Sequence, residues 1–321
     1  MKSILFNKYG PPNVLKFGDV AKPVPKADEV LLRIHASSIN SWDPGLLRGE
    51  FPNRLIFGLT KPKIKTLGAD VAGRVEAVGS SVSQFSPGQE VWGDLSHRGW
   101  GRFAEYVCAP ENSLALKPTN MAFEQAAAVP QAGLLALQGL RVVGRIQAGH
   151  KVLINGAGGG VGIFAVQIAK AIGAEVTGVD SSNKLQAVLS AGADRVIDFA
   201  VENFTRCKNH YDLILDVVTN RSMFDYLRAL KPQGAYVTVG GELKRLLQIF
   251  MLGPWIKFAS RKQMRVLAHK PNQGLDELKD LIESGKVVSV IDGRYGLDDI
   301  QRAFRHFAQG THRGKIVISV A

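Results

Sequence analysis

The chain has little cysteine and no long apolar stretch. Cys108 and Cys207 are the only cysteines in 321 residues, which are too few and too far apart in sequence for a disulfide framework or a thiolate-rich zinc site, and which suit a reducing compartment. No stretch approaches the roughly 20 continuous apolar residues that span a bilayer. The N-terminal residues also lack the apolar region and small-residue cleavage site of a signal peptide. We therefore expect a cytoplasmic protein that does not span a membrane.

Acidic side chains are also in deficit. The 28 Asp and Glu residues stand against 40 Lys and Arg residues, which leaves a formal charge of +12. Such an excess suits nucleic acid, an anionic membrane or a phosphate-bearing ligand, but the basic residues are scattered without a long basic run. The content of 45% hydrophobic and 21% charged residues is typical of globular chains and excludes a disordered or collagen-like class. The length exceeds that of one usual hydrophobic core, so two domains are expected.

The sequence pattern changes along the chain from β-rich runs to alternating strands and helices. The first third alternates short β-rich runs with glycine- and proline-containing turns, which predicts a β-barrel-like domain over residues 1–121. Beyond Met121 strand and helix patterns alternate, and these βαβ units predict a doubly wound parallel sheet over residues 122–266. In residues 267–321 we expect the final strand to rejoin the N-terminal domain, because an open sheet edge promotes aggregation. Buried strands of the parallel sheet are predicted at 151–155, 175–180, 195–199, 211–218 and 235–240.

The most informative segment is a glycine-rich turn between a predicted strand and a predicted helix. Five of the seven positions from Gly156 to Gly162 are glycine, which permits a tight turn and close backbone approach to a pyrophosphate at the helix N-terminus. The literal G-x-G-x-x-G is absent, because the frame that ends at Gly162 begins with Ala157. The next predicted strand ends at Asp180, the acidic position expected to bind a ribose hydroxyl. A dinucleotide site is favoured over a ligand-free turn, since so many glycines are costly to order.

Several blocks of sequence are distributed along nearly the whole chain, among them ASSINSWDPGLLRGEF at 36–51, LGADVAGRVEAVG at 67–79, AAAVPQAGLLALQGL at 126–140, GAGGGVG at 156–162 and RGKIVI at 313–318. Together they resemble the medium-chain dehydrogenase/reductase superfamily, in particular its zinc-independent quinone oxidoreductase-like branch. The resemblance implies an α/β fold with two parts. A GroES-like, β-barrel-type catalytic domain is built from the N-terminal part and the C-terminal tail, and a Rossmann domain binds NAD(P).

The resemblance also bears on zinc. In zinc-dependent relatives a Cys, a His–Glu pair and a second Cys hold the catalytic metal, and the matching positions here are Asn40, Ala69 with Asp70, and about Ala128. Of these side chains, Asp70 alone could coordinate a metal, and two cysteines cannot form the four-cysteine structural site of those relatives. We predict neither zinc nor another metal.

Without a Lewis acid, hydrogen-bond donors must polarise the substrate, which favours a hydride acceptor that needs little activation. The resemblance implies hydride transfer from NADPH or NADH to a quinone or an α,β-unsaturated carbonyl. It also implies that Asn40 is catalytic and that its amide donates to an oxyanion, against the alternative of an asparagine that fixes a turn. For Asp43, which matches an aspartate of the family pattern, a structural role is favoured over catalysis.

The resemblance implies a set of coenzyme-binding residues and two opposed preferences. Asp180 favours NADH, because a carboxylate repels a 2′-phosphate, whereas Lys184 lies where NADPH-preferring relatives carry a lysine for that phosphate. Lys315 matches a basic residue that reaches the pyrophosphate in zinc-containing relatives, and an exposed strand lysine is the equally weighted alternative. The complete set is Gly158, Gly159, Gly160, Val161, Gly162, Asp180, Ser181, Lys184, Val239, Gly240 and Lys315.

Partners and rival functions are less constrained. Residues 243–265 mix large apolar and basic residues, as interfacial membrane segments do, but a lobe over the substrate cleft or a subunit contact is favoured over a membrane contact. Gly253 and Pro254 are predicted to break any single helix there. Relatives imply a dimer or tetramer. One rival function is dehydrogenation of a small alcohol or aldehyde, which the missing zinc ligands disfavour. Another is cofactor-gated nucleic-acid binding, which lacks an interleaved aromatic and basic stripe.

Overall fold

The computed structural model describes residues 1–51, 53–99, 101–241 and 243–320. Its strands are β1 (Lys2–Leu5), β2 (Lys16–Asp19), β3 (Glu29–Ser38), β4 (Asp70–Val78), β5 (Glu90–Asp94), β6 (Tyr106–Pro110), β7 (Ala115–Leu116), β8 (Lys151–Asn155), β9 (Glu175–Asp180), β10 (Arg195–Asp198), β11 (Tyr211–Asp216), β12 (Leu230–Thr238), β13 (Gln263–Val266), β14 (Ile291–Gly296) and β15 (Lys315–Ser319). Its α-helices are α1 (Trp42–Arg48), α2 (Asn53–Phe57), α3 (Phe123–Ala127), α4 (Pro130–Leu137), α5 (Gly160–Ile172), α6 (Ser182–Ser190), α7 (Met223–Ala229), α8 (Leu243–Ser260), α9 (Leu275–Glu283) and α10 (Ile300–Ala308).

The chain folds into two compact units. The first comprises residues 1–132, 271–279 and 289–321, and the second comprises residues 133–270 and 280–288. The limits of these units differ from the domain boundaries that the sequence predicts after Met121 and Val266. Those domain boundaries stay predictions. As far as the structure describes the chain, the first unit holds a seven-stranded sheet, the two-stranded sheet β1-β2 and two apolar clusters. The described residues of the second unit hold a six-stranded sheet with its own apolar cluster.

The first unit is organised around strand β3. Within the described part of the chain its sheet has the order β14-β15-β3-β4-β5-β7, with β6 also paired to β3. Strand β3 is central because it is buried along most of its length and bonds to three neighbours. Val317 in β15 lies opposite Ser38 at the end of β3, which confirms that the last strand rejoins the N-terminal part. This pairing also brings the start of β15 close to the residues that follow β3.

The second unit contains the predicted doubly wound sheet. Its strands are parallel, and in the described chain they have the order β10-β9-β8-β11-β12-β13. The apolar residues of β8, β9 and β11 are almost fully buried, as parallel strands covered on both faces require. The strand order switches sides at β8: β9 and β10 follow on one side of it, and β11, β12 and β13 lie on the other. The carboxyl ends of the strands at such a switch point form the usual ligand crevice of this fold.

Helix α8 corrects the prediction that Gly253 and Pro254 break the segment 243–265. The helix runs without interruption from Leu243 to Ser260, with Pro254 inside it. Pro254 lies on the exposed side, where the carbonyl group that loses its hydrogen bond can tilt toward water. On the opposite side Ile249 packs into the core of the unit, and this burial holds the helix together. No helix among the described residues combines the length and hydrophobicity needed to cross a bilayer.

Candidate functional site

The glycine-rich turn forms an anion-binding helix start. Strand β8 ends at Asn155, Gly156 adopts a left-handed φ of +87°, and α5 begins at Gly160 after the N-cap residue Gly159. Gly159 offers no side-chain cap, and the first turn of α5 carries no acidic residue. The N–H groups of that turn, together with the positive end of the helix dipole, are therefore suited to the pyrophosphate of a dinucleotide. The residues present fit NAD(P).

Two of these glycines are required by close packing. A Cβ at Gly162 would lie 2.1 Å from the carbonyl oxygen of Gly156, and a Cβ at Gly158 would lie 2.7 Å from Cβ of Lys184. A Cβ at Gly159 would meet nothing closer than 3.7 Å. Gly158 and Gly162 thus allow the turn to pack against neighbouring backbone and side chain. Gly159 leaves open space where a phosphate could approach the backbone.

Asp180, at the end of β9, and Lys184, in α6, form a buried pair beside the turn. One oxygen of Asp180, Oδ2, accepts a hydrogen bond from the backbone N–H of Gly158 at 2.8 Å. The other, Oδ1, accepts from the N–H of Ser181 at 2.8 Å and lies 3.8 Å from Nζ of Lys184. Asp180, which favours NADH, and Lys184, which favours NADPH, are therefore in contact. The charge of each partly offsets the effect of the other on a 2′-phosphate. Ser181 also precedes α6 as its N-cap.

A polar network that the sequence analysis did not single out joins the strand ends at the switch point. Nδ2 of Asn155 donates to Oδ1 of Asp216 at 2.8 Å and to the hydroxyl oxygen of Tyr226 at 3.0 Å. The Tyr236 hydroxyl donates to Oδ2 of Asp216 at 2.6 Å. Burial, with the nearby Asp216 carboxylate, raises the pKa of both tyrosines. The network holds neutral tyrosines and fixes the ends of β8 and β11 relative to each other.

Val239 and Gly240 continue this arrangement at the end of β12. The N–H of Val239 donates to the carbonyl oxygen of Asp216 at 3.0 Å, so the backbone after β12 is tied to the end of β11. A Cβ at Gly240 would meet no atom within 4 Å. The predicted coenzyme residues of this unit thus share the carboxyl edge of one sheet, where their sequence positions at strand ends place them. Their contacts with a coenzyme stay predictions.

Asn40 and Lys315 come together in the first unit, although 275 positions separate them. Nζ of Lys315 donates to Oδ1 of Asn40 at 2.5 Å and to the carbonyl oxygen of Ile39 at 3.1 Å. Nδ2 of Asn40 donates to Oδ2 of Asp70 at 2.9 Å. An ammonium group can only donate and a carboxylate can only accept, so the amide of Asn40 has one permitted orientation. Lys315 is buried in this network, which excludes the alternative of an exposed strand lysine.

Asp70 is the acceptor at the centre of this cluster. Its Oδ2 also accepts from the Ser38 hydroxyl at 2.8 Å, and its Oδ1 accepts from the N–H of Gln131 at 2.9 Å. Nζ of Lys315 lies 3.6 Å from Oδ2. Burial raises the pKa of Asp70 and lowers the pKa of Lys315, while their mutual attraction opposes both shifts. The donors around Asp70 favour its ionised form, and we take the two residues as a buried ion pair.

Asp43 lies beside this cluster and has a structural task. Its Oδ2 accepts from the N–H of Asn40 at 2.8 Å, and its Oδ1 accepts from the N–H of Gly68 at 2.9 Å. It therefore ties the backbone just before α1 to the backbone at Gly68. Burial raises the pKa of Asp43 to about 7, although both N–H donors oppose the shift.

The positions that hold zinc in zinc-dependent relatives include two side chains, Asn40 and Asp70, that lie beside a cation in this structure. Asn40 and Asp70 meet, but the third group in contact with both is the Lys315 ammonium, and a cation with only donor hydrogens cannot ligate a metal. Across the described ranges no three His, Cys, Asp or Glu side chains gather as a metal-binding group. Because a catalytic zinc takes about three protein ligands, this donor set does not fit one. The absence of zinc stays a prediction.

Comparisons with known proteins point to one family. The chain matches a model described as alcohol dehydrogenase GroES-like domain over residues 26–119, and one described as zinc-binding dehydrogenase over residues 191–318. The solved quinone oxidoreductase from Coxiella burnetii is 29% identical, with a TM-score of 0.89 over 100% of this chain and 99% of that one. These matches confirm the predicted GroES-like and Rossmann-type α/β fold.

Curated relatives match nearly the whole of this chain. The chain is 33% identical to the 2-methylene-furan-3-one reductase of Solanum lycopersicum, in a match that covers 99% of this chain and 79% of the relative. It is 32% identical to the chloroplastic NADPH-dependent alkenal/one oxidoreductase of Arabidopsis thaliana, again over 99% and 79%. Some relatives are named as mitochondrial or chloroplastic. The cytoplasmic location expected for this chain therefore stays a prediction.

Proposed function

The chain belongs to the medium-chain dehydrogenase/reductase superfamily, in its quinone and alkenal/one oxidoreductase branch, and on that premise we propose that it transfers hydride from NAD(P)H to a quinone or an α,β-unsaturated carbonyl. The observation that carries the proposal is the fixed amide of Asn40. Bound NAD(P)H would supply the hydride. The chain must then stabilise the negative charge that develops on the substrate oxygen.

The side-chain amide of Asn40 can donate a hydrogen bond to that negatively charged oxygen. Its Nδ2 has two hydrogens, and Asp70 accepts one of them. We assign the second to the substrate oxygen. Lys315 holds Oδ1 of the amide, so the donor cannot turn away when the substrate changes its charge. A hydride added to the acceptor carbon, or to a quinone, leaves an oxyanion, and a proton from a side chain or solvent then completes the reduction.

Turnover with purified protein tests the proposal. NADH and NADPH oxidation should be followed by absorbance with a panel of quinones and enones. Asn40→Ala is expected to lower kcat about 100-fold or more with an unchanged affinity for the coenzyme, as loss of one oxyanion donor does. Gly160→Trp, which covers the first turn of α5, is expected to abolish coenzyme binding as well. Coenzyme binding without turnover on any acceptor would contradict the proposal, and salt-dependent nucleic-acid binding would then be measured.

Coenzyme choice depends on the Asp180–Lys184 pair. Asp180→Asn keeps an acceptor for the N–H of Gly158 but removes the negative charge near the expected 2′-phosphate. We expect kcat/KM for NADPH to rise relative to NADH by about ten-fold, since loss of one like-charge contact is worth roughly 1–2 kcal/mol when water screens the phosphate. Lys184→Met keeps the apolar stem and should shift the ratio in the opposite direction. If the ratio of kcat/KM for NADPH to that for NADH is the same in both variants and the wild type, the Asp180–Lys184 pair does not determine coenzyme choice.

A further inference from the structure

Helix α8 has two faces of different use. Its inner face packs on the second unit: Ile249 lies in the core, Ile256 packs against that core, and the helix runs along β13. Arg245 on this face is also buried. Because the inner face is already satisfied by the protein, the helix does not need its other face for folding.

The other face is an apolar stripe open to solvent. Its residues recur at intervals of three and four positions, so they lie on one side of the helix. Large apolar side chains are common on surfaces one at a time, but a contiguous row on a single helix marks an interaction surface. This outer stripe consists of Leu247 (52% exposed), Phe250 (83%), Met251 (68%), Pro254, Trp255 (73%) and Phe258 (87%).

The charges beside the outer stripe indicate which kind of partner it contacts. Lys257 and Arg261 are exposed at its border, and residues 243–275 contain no Asp or Glu. In a two-fold contact between two copies, the same patch meets itself, so these cations would face like charges without a carboxylate from the segment. An anionic bilayer surface instead offers apolar depth for the aromatic side chains and negative headgroups for the cations. The formal charge of +12 adds attraction toward such a surface.

We propose that the outer stripe of α8 docks the protein on the surface of an anionic bilayer. Phe250, Trp255 and Phe258 enter the boundary between headgroups and acyl chains, and Lys257 and Arg261 contact anionic headgroups. The sequence alone favoured a cleft lobe or a subunit contact for this segment. The exposure of the stripe disfavours a lobe packed over a cleft, and the lack of acidic residues in 243–275 disfavours a two-fold subunit contact. The inference does not depend on the proposed reductase activity.

Vesicle flotation of the full chain tests the docking. We expect binding to phosphatidylcholine vesicles that contain about 30% phosphatidylglycerol, weaker binding to phosphatidylcholine alone, and a blue shift of Trp255 emission on binding. The variant Trp255→Ser/Phe258→Ser is expected to bind at least about ten-fold more weakly, because two large apolar side chains leave the membrane. Phe224→Ser, which removes a side chain of similar exposure (69%) on α7, should bind like the wild type.

A charge-matched pair completes the test. Lys257→Gln/Arg261→Gln should weaken binding to anionic vesicles about ten-fold or more, whereas Lys16→Gln/Lys286→Gln, at two exposed lysines elsewhere, changes net charge equally and should have a smaller effect. NAD(P)H oxidation with a water-soluble quinone should be the same in all variants. Failure of the wild type to float with anionic vesicles would overturn the proposal. So would a Trp255→Ser/Phe258→Ser variant that binds normally, or one that instead dissociates an oligomer in sedimentation.

Discussion

Gly162→Ala is expected to lower the free energy of unfolding by about 3 kcal/mol or more and to abolish NAD(P)H binding. The added Cβ would lie 2.1 Å from the carbonyl oxygen of Gly156 and 2.6 Å from Cα of Ala157. Both contacts are with backbone, so they are relieved only if α5 moves away from the turn. Helix propensity alone predicts the opposite sign, since alanine is favoured over glycine by about 1 kcal/mol inside a helix. Thermal or denaturant unfolding therefore decides between packing and propensity.

Gly159→Ala is the matched control for this prediction. Gly159 has a φ of −82°, which any residue can adopt, and its Cβ would lie no closer than 3.7 Å to Gly156 O. We expect its free energy of unfolding to stay within about 1 kcal/mol of the wild type, the cost of replacing an N-cap glycine by alanine. Coenzyme affinity would fall moderately, because the methyl group occupies space beside the phosphate. Equal destabilisation by both substitutions would show that close packing is not the reason for glycine at 162.

The glycine turn and its sheet could be predicted because their signals are local. Strands β8, β9 and β10 lie where the sequence predicted them, to within one residue, since parallel strands covered on both faces read as continuous apolar runs. Strand β12 begins at Leu230, before the predicted 235, because turn-forming Pro232 and Gly234 obscure its first half. The end of β9 at Asp180 also follows from the sequence, and with it the contact to the turn.

The remaining features depend on contacts between distant segments. The sequence shows that Asn155 and Asp216 are polar residues at strand ends, but only the strand order places β8 beside β11 and joins them to Tyr236. Lys315 was assigned to the pyrophosphate by resemblance, and that assignment stays a prediction. The pairing of β15 with β3 shows what the sequence could not, a contact of the Lys315 ammonium with Asn40. Local breaker rules failed at Pro254, since tertiary packing of α8 outweighs the lost hydrogen bond.

Lys315→Met is expected to destabilise the protein by about 3–5 kcal/mol near pH 8, because removal of one partner leaves the other buried and unpaired. Asp70 is fully buried and would lose the cation that opposes the effect of burial on its pKa. The amide of Asn40 would also lose the donor that fixes its orientation. We therefore expect kcat to fall about ten-fold or more, because the oxyanion donor is no longer preorganised.

The pH dependence of this variant has a definite sign. Burial raises the pKa of Asp70 in the folded protein, and without Lys315 the pKa rises further. The folded state then keeps a proton that the unfolded chain releases above about pH 4. Stability from Asp70 is thus fully present below the unfolded pKa and is lost as the pH rises through the folded pKa. The deficit relative to the wild type should be small near about pH 4 and largest in the alkaline range.

A second substitution separates charge from packing. In Lys315→Met/Asp70→Asn no charge of the pair remains, so the part of the deficit that follows the titration of Asp70 should disappear and part of the lost stability should return. The amide of Asn40 would still lack the Lys315 donor, so kcat should stay low. Denaturant unfolding across pH, with steady-state kinetics on the same proteins, measures both quantities. A deficit in Lys315→Met that is independent of pH would mean that the Lys315 side chain acts by filling space. Recovery of kcat in the double variant would mean that Asn40 needs no fixed orientation.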